Sequence, residues 1–429
     1  MPFVASSSAL WRRHKATQYC VVLLLCSAMT ISSGAQEPWE RHPIDDSLRG
    51  ADGVRLGDLN QDGLLDIVTG WEESGRVRVY LQPKGNAQQS GVTKSSWPAV
   101  TIGRAPSVED AVFVDLNNDG RLDVLASCEG KEQALHCFFS PVTKDLLDAS
   151  AWRTRRIATS VQRTRWMFAL PSRENHGDIF VGSKHPNGQV ARLELPSDGI
   201  SVANANAAPA IRQLAPAAWI MSMVERDVDA DGDLDLIYSD RKAEEQGVYW
   251  LECPDRRDAS WRRHLIGGQG EEVLFLSVVG HGDHVDSIYV AAKPNRILKL
   301  VPPDSSEDKR RMWRQSEEFA ASMTKFSRAK AVAAGDLTGD GQIELVYSCE
   351  SADPPRQGVV LLTKEHNSSE EASSKEKWKA VGISGPAGIK FDLIELVDLD
   401  HDGDLDVLTC EERHAGRGLG VIWYENPLK

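Results

Sequence analysis

A nine-residue acidic pattern, D-x-[DN]-x-D-G-x-x-D, recurs along this chain at near-constant spacing, and no other feature restricts its fold as much. It reads "DLNQDGLLDIV" from Asp58, "DLNNDGRLDVL" from Asp115, "DVDADGDLDLI" from Asp227 and "DLDHDGDLDVL" from Asp398, with "DLTGDGQIELV" from Asp336 as a looser copy. The first aspartates lie 57 residues apart for the first pair, then 112, 109 and 62. The two long intervals are near twice the short one, so two further units without the acidic loop belong in the gaps. "RWMFALPSRENHGDIFVGSK" from Arg165 and "VLFLSVVGHGDHVDSIYVAAK" from Val273 fill them, keeping apolar runs on both sides and losing most of the acids. One residue marks each unit, at Trp39, Trp97, Trp152, Ile211, Trp261, Trp313 and Trp378, which makes seven units.

Each unit reads as four short strands. In the second they are "DAVFVDL", "LDVLASC", "HCFFS" and "WRTRRIA". Short runs rich in β-branched and aromatic residues, broken by Gly, Pro and Asn, are strand signals, and no helical period persists. Four-stranded units at this spacing predict an all-β fold, a seven-bladed β-propeller. The marked fourth strand already occurs at "WERHPI" (Trp39 to Ile44), before any first strand, and the chain ends on a third strand, "GVIWYENP". The N-terminal strand is therefore expected to join the last blade and leave no free sheet edge.

So many like charges side by side are costly unless a cation sits among them. In the loop, side chains at positions 1, 3, 5 and 9 and the carbonyl of position 7 converge, which suits the six to eight oxygen ligands of Ca²⁺. Glycine at position 6 permits the sharp turn. The expected ligand sets, about five Ca²⁺ sites, are Asp58, Asn60, Asp62, Leu64 and Asp66; Asp115, Asn117, Asp119, Arg121 and Asp123; Asp227, Asp229, Asp231, Asp233 and Asp235; Asp336, Thr338, Asp340, Gln342 and Glu344; and Asp398, Asp400, Asp402, Asp404 and Asp406. The set from Asp336 departs most and is expected to bind weakest. An EF-hand is excluded, because position 12 is Thr69, Ala126, Tyr238, Tyr347 and Thr409 rather than glutamate. The plain alternative is a set of Asx turns without metal.

These loops resemble the FG-GAP/VCBS repeat family, whose relatives include the integrin α-subunit propeller. The resemblance spans essentially the whole chain after its leader, apart from Ser172 to Asp178 and the region of His281 to Asp286, where most ligands are missing. It implies a calcium-stabilised seven-bladed propeller used for extracellular binding, and no particular ligand.

The first 35 residues differ in kind. Arg12, Arg13 and Lys15 precede the apolar "CVVLLLC", and Ser33-Gly34-Ala35 supplies small residues. That is the order of a secretory signal peptide, and the apolar part is too short to span a bilayer. The expected organisation is a signal peptide over 1–35 and one propeller over 36–429, secreted or periplasmic, with no membrane span and monomeric. A net charge of −14 argues against nucleic acid as a partner. Five cysteines follow the leader, and Cys128 and Cys137 flank a loop where either a hairpin disulfide or two buried thiols fit.

The acidic loops all join first and second strands and so share one face. Binding residues concentrate on loops held by a rigid scaffold, which directs attention to the opposite face. There the loops carry Glu72, Glu129, Lys184, His185, Asp240, Arg241, Glu350, Glu411 and Arg413, and the inner strand ends add Arg165, Trp166, Trp219, Lys330 and Lys390. Three functions remain open: a non-catalytic binder of an extracellular protein or glycan, a carbohydrate-active enzyme, or a structural surface protein. Glu, Arg and Trp gathered in one concave pocket favour an enzyme; a flat face favours binding.

Overall fold

The computed structural model describes residues 37–84, 92–174, 177–200, 209–242, 244, 246–256, 259–304, 308–365, 378–412 and 418–428. The expected signal peptide and Arg413 lie outside these. The strands form seven four-stranded antiparallel sheets, each built from neighbouring strands in chain order except the last. The innermost strands are Ala51–Gly57, Val108–Val114, Arg165–Pro171, Ile220–Arg226, Val273–Val279, Arg328–Gly335 and Phe391–Val397, here blades 1 to 7. Blade 7 takes its outer strand, Arg41–Asp45, from the N-terminal end, paired antiparallel with Gly420–Tyr424.

Apolar side chains alternate on both faces of each sheet, because each blade is covered by two neighbours. The second strands, such as Asp66–Trp71 and Asp406–Glu411, are buried throughout. Between blades 7 and 1 the core contains Ile44, Val54, Ile67, Trp71, Leu408 and Trp423. The marker tryptophans stand at or just before the fourth strands, and Trp39, Trp97, Trp152, Trp313 and Trp378 are buried. Cys128 and Cys137 are buried free thiols. Their strands pair Cys128 with Ala134 and Cys137 with Leu125, so the hairpin register never sets them opposite each other.

The outer strand of blade 7 is fixed by more than its ladder. His42 stacks on Trp423 at 4.5 Å between ring centroids and bonds Glu425 at 2.8 Å. Lys94 of blade 1 meets the same Glu425 at 2.6 Å. Deleting residues 37–45 is expected to cost about 3–6 kcal/mol from the lost burial of Trp39 and Ile44 alone, and to expose Gly420–Tyr424 as an edge. Thermal unfolding checks this: a truncated chain that melts like the full one contradicts the account.

Candidate functional site

The five acidic loops share one backbone design. Position 4 is left-handed in each, at Gln61, Asn118, Ala230, Gly339 and His401, and so is the glycine at position 6. A Cβ at Gly63, Gly120, Gly232 or Gly341 would meet nothing within 4 Å, so conformation rather than space demands glycine there. The first aspartate accepts the position-6 amide in every loop, as Asp58 does from Gly63 at 2.9 Å. The position-5 carboxylate accepts the amide of position 7, as at Asp402 to Asp404, 3.1 Å.

Position 9 is different. Asp66, Asp123, Asp235, Glu344 and Asp406 are all buried. One oxygen accepts the amide of position 2, at 2.9 Å for Asp66 and 3.0 Å for Asp406. In the four aspartates the other oxygen takes the amide that follows the third strand, from Gln82, Ser140, Cys253 or Asn426. Burial lifts Asp66 to about 6 and Asp123, Asp235 and Asp406 to about 7, although these amides pull the other way.

The donor set suits a hard divalent cation. Oxygens of Asp227, Asp229 and Asp235 lie within 4.8 Å of one another. Asp227 Oδ1, Asp229 Oδ1 and Asp400 Oδ1 are buried with no hydrogen-bond donor, a costly state that a cation relieves. The loop from Asp336 is weaker, because the Thr338 hydroxyl already donates to Glu344 at 3.3 Å. In blade 3, which lacks the acidic loop, Arg173 reaches Asp283 at 2.7 Å and the Glu225 carbonyl at 2.9 Å.

At the other end of the same strands lies a cavity of ≈ 290 Å³ on the propeller axis. A β-bulge between first and second strands makes it. The register slips near the start of the inner strand in all seven blades. A residue passed over by each slip lines the cavity: Gly53, Glu109, Met167, Met221, Phe275, Lys330 and Asp392. Bulges re-aim side chains in this way. The floor is Arg55, which bonds Asp110 through two nitrogens at 3.0 and 3.2 Å and lies 4.3 Å over the Phe168 ring. A second cavity beyond this floor shares Arg55, Phe168 and Leu393 with the first.

The wall is dense in charge. Glu129 pairs with Lys184, Glu412 with Lys390, and Asp392 with Lys330, the last at 3.2 Å. Arg241 bonds Glu272 at 2.8 Å, and Glu350 pairs with Lys293. Among the described residues, Asp52, Glu72 and Glu109 have no ion pair of their own. Oxygens of Asp52, Glu72 and Glu412 cluster within 4.8 Å, as do those of Glu72, Glu109 and Glu129. Burial first, then neighbouring carboxylates, raises Asp52 and Glu109 well above the ordinary range and raises Glu72 as well. Burial also pushes Asp392 and Glu129 up, but each is held low overall. Lys330 and a bond from Asp52 do this for Asp392, and a bond from Glu109 with Lys184 does it for Glu129. Each pair thus joins an acid whose affinity for its proton is raised to one whose affinity is lowered.

Of the residues expected on this face, Glu72, Glu129, Lys184, Arg241 and Glu350 line the cavity, with Trp219, Lys330 and Lys390. Asp240 and Glu411 do not. Both are buried acceptors for backbone amides, Asp240 from Ala218 and Trp219 at 2.8 Å each, Glu411 from Ile389 at 2.7 Å. They hold the loops that carry Trp219 and Lys390. His185 is exposed outside the cavity, and Trp166 is core, its indole bonded to the Ser160 carbonyl at 3.1 Å. Sequence reasoning missed Asp52, Arg55, Glu109, Asp110, Asp392 and Glu412. For Asp52, Glu109, Asp110 and Asp392 the signal is an acid at the start of an inner strand, where the bulge breaks the alternation that assigns faces. Arg55 lies further along its strand, and Glu412 directly follows a second strand beside Glu411.

Residues 58–126 match the FG-GAP-like repeat, across the first two acidic loops. No curated protein matches the chain. Among solved structures, an ancestral GH74 enzyme is similar over 90% of this chain and 48% of its own, at 12% identity and TM-score 0.54. The chain thus spans about half the length of that enzyme. The Myceliophteria thermophila Cps50 (Swd1) β-propeller domain is similar over 90% of this chain and all of its own, at 14% identity and TM-score 0.52. The likeness to both is one of fold. This is a seven-bladed β-propeller, of which residues 58–126 match an FG-GAP-like repeat. Among the described residues no helix is long and apolar enough to cross a membrane.

Glu412 gives the cavity a pH signature. Burial raises it from 4.5 to about 7, so the folded state holds its proton more tightly than the unfolded one. Its contribution to stability is greatest below pH 4.5 and is lost as pH rises through about 7. In calcium-saturated protein, Glu412→Gln is expected to gain stability relative to wild type on going from pH 5 to pH 8. Denaturant unfolding at the two pH values measures this, and a parallel profile contradicts it.

Proposed function

We propose that this chain is an exported, calcium-binding propeller that holds an extracellular ligand, a glycan or a protein group, in its axial cavity without transforming it. The observation that carries the reading is how the cavity's carboxyls are arranged. Glu72, Arg241 and Trp219 gathered in one concave site point toward an enzyme. The raised and lowered acids, however, are hydrogen-bonded to each other rather than set apart across a bond to be cleaved, which favours holding a ligand. Ligand sites are concave and sit on a rigid frame. Export rests on the basic, apolar and small residues of the leader. Calcium rests on the convergent loop oxygens and on the buried, donorless ones at Asp227, Asp229 and Asp400.

A carbohydrate-active enzyme is the second reading, favoured by the gathering of Glu72, Arg241 and Trp219 in one concave cavity. Glycoside cleavage needs one carboxyl protonated and a second ionised about 5–9.5 Å away, so the raised acid of one hydrogen-bonded pair would act with the lowered acid of the other. A glycan array followed by product analysis separates the two. Retention of intact glycan supports binding; shortened or unsaturated products support the enzyme. In either case Glu72→Gln is expected to abolish retention while leaving the melting temperature within a degree or two, whereas Lys184→Met abolishes retention and also lowers stability, because it leaves Glu129 without its ion pair. Retention that survives both changes places the ligand elsewhere.

Chelation is expected to lower stability, since a ligand bound only to the folded state adds about 2.7 kcal/mol per site at a hundred times its Kd. Calorimetry with and without EDTA measures the effect, with Asp400→Asn reproducing part of it. Equal melting temperatures in stripped and loaded protein contradict calcium binding.

A further inference from the structure

The axial cavity contains more carboxyl groups than its bases balance. Arg55 is matched by Asp110, Arg241 by Glu272, and Glu350 by Lys293. What remains on the lining is Asp52, Glu72, Glu109, Glu129, Asp392 and Glu412 against Lys184, Lys330 and Lys390. Among the described residues six carboxyls face three ammonium groups, an excess of three. At the rim, Arg165 acts on Glu129 and Glu73 on Glu72, with opposite signs. A second observation marks where positive charge is missing. Asp392 Oδ1 is buried against the cavity and, among the described residues, no nitrogen or hydroxyl group donates to it, although Lys330 holds the other oxygen. Its neighbour across the cluster is another acid, Asp52. Only a proton on Asp52, or a cation from outside, supplies that oxygen with a donor.

We propose that the axial cavity recognises a small ligand bearing primary ammonium groups, of amino-sugar size, seated among Asp52, Glu72 and Glu109. The inference rests on the reading of the cavity as the binding site and names the class of ligand. Volume and closure favour a small molecule: ≈ 290 Å³ holds about a disaccharide, and the Arg55–Phe168 floor stops a chain from threading the axis. An ammonium group offers three donors to three carboxylates, and its charge replaces the protons that burial and crowding keep on Asp52 and Glu109. Ligand binding therefore releases protons to solvent. A neutral or anionic sugar gains nothing from the excess and leaves those protons in place.

The test is isothermal titration of the calcium-saturated, full chain at pH 6.5 with the β-1,4-linked glucosamine disaccharide and with its N-acetylated form, each in two buffers of different ionisation enthalpy. The amine form is expected to bind at least about tenfold more tightly, with a buffer-dependent heat that reports proton release. Asp52→Asn and Glu109→Gln mimic the protonated acids, so both are expected to fold and melt like wild type, lose about tenfold or more in affinity, and release fewer protons. Equal or tighter binding of the N-acetylated form overturns the proposal. If neither disaccharide binds, the proposal also falls, while the cavity reading stands as long as some array glycan still depends on Lys184 and Glu72. If no ligand depends on them, both fall. Binding of the amine without proton release, or unaltered in both variants, places it outside this cluster and equally overturns the proposal.

Discussion

A buried carboxylate that accepts backbone amides from two directions is the interaction on which four of these blades depend. At Asp66, Asp123, Asp235 and Asp406 one oxygen closes the turn between first and second strands while the other catches the chain leaving the third. Amide donors to a charged acceptor contribute about 1.5–3 kcal/mol each. They offset much of the cost of burying the charge. The same residue belongs to the acidic loop, so the fold and the proposed cation site share one side chain. Substitution at position 9 therefore breaks the link to the third strand, whereas substitution at positions 3 and 5 disturbs the loop and leaves that link intact.

At the opposite end the constraint is geometric. A propeller's inner strands converge on an axis where regular alternation would send apolar and polar side chains inward in turn. The bulge in every blade breaks that alternation at one level and re-aims a residue into the central space. Blades 1, 2, 6 and 7 contribute acids to the cavity, and blades 3 and 4 contribute Met167 and Met221 together with Lys184 and Arg241. The cavity is thus polar in an unsymmetrical way. Its acid excess follows from which blades carry which side chains at the bulge and just past the second strand.

The fold was legible because its signals are periodic. Seven markers, five acidic loops and two gaps with matching apolar runs leave little choice of architecture, and the orphan strand at Trp39 has one open partner. The cavity was half legible. Glu72, Glu129, Lys184, Arg241 and Glu350 were found as charges just past second strands, a position the repeat itself picks out. Asp52, Glu109 and Asp392 were not, because assigning their direction requires the bulge, and a slip in register leaves no residue pattern of its own. Asp240 and Glu411 looked like their neighbours in sequence and proved to be backbone acceptors. A buried carboxylate and a cavity-facing one share the same letter; only the amides around Asp240 tell them apart.

Carboxylates at the two ends of this molecule are proposed to meet two different fates: cations would hold those of the acidic loops together, protons those of the axis. Crystals grown with calcium, with anomalous diffraction recorded at long wavelength, test that division most directly. The account predicts anomalous peaks within the acidic loops, weakest at the loop from Asp336, and none among Asp52, Glu72, Glu109 and Glu412. A calcium peak in the axial cavity, or loops without peaks in calcium-saturated crystals, would contradict it.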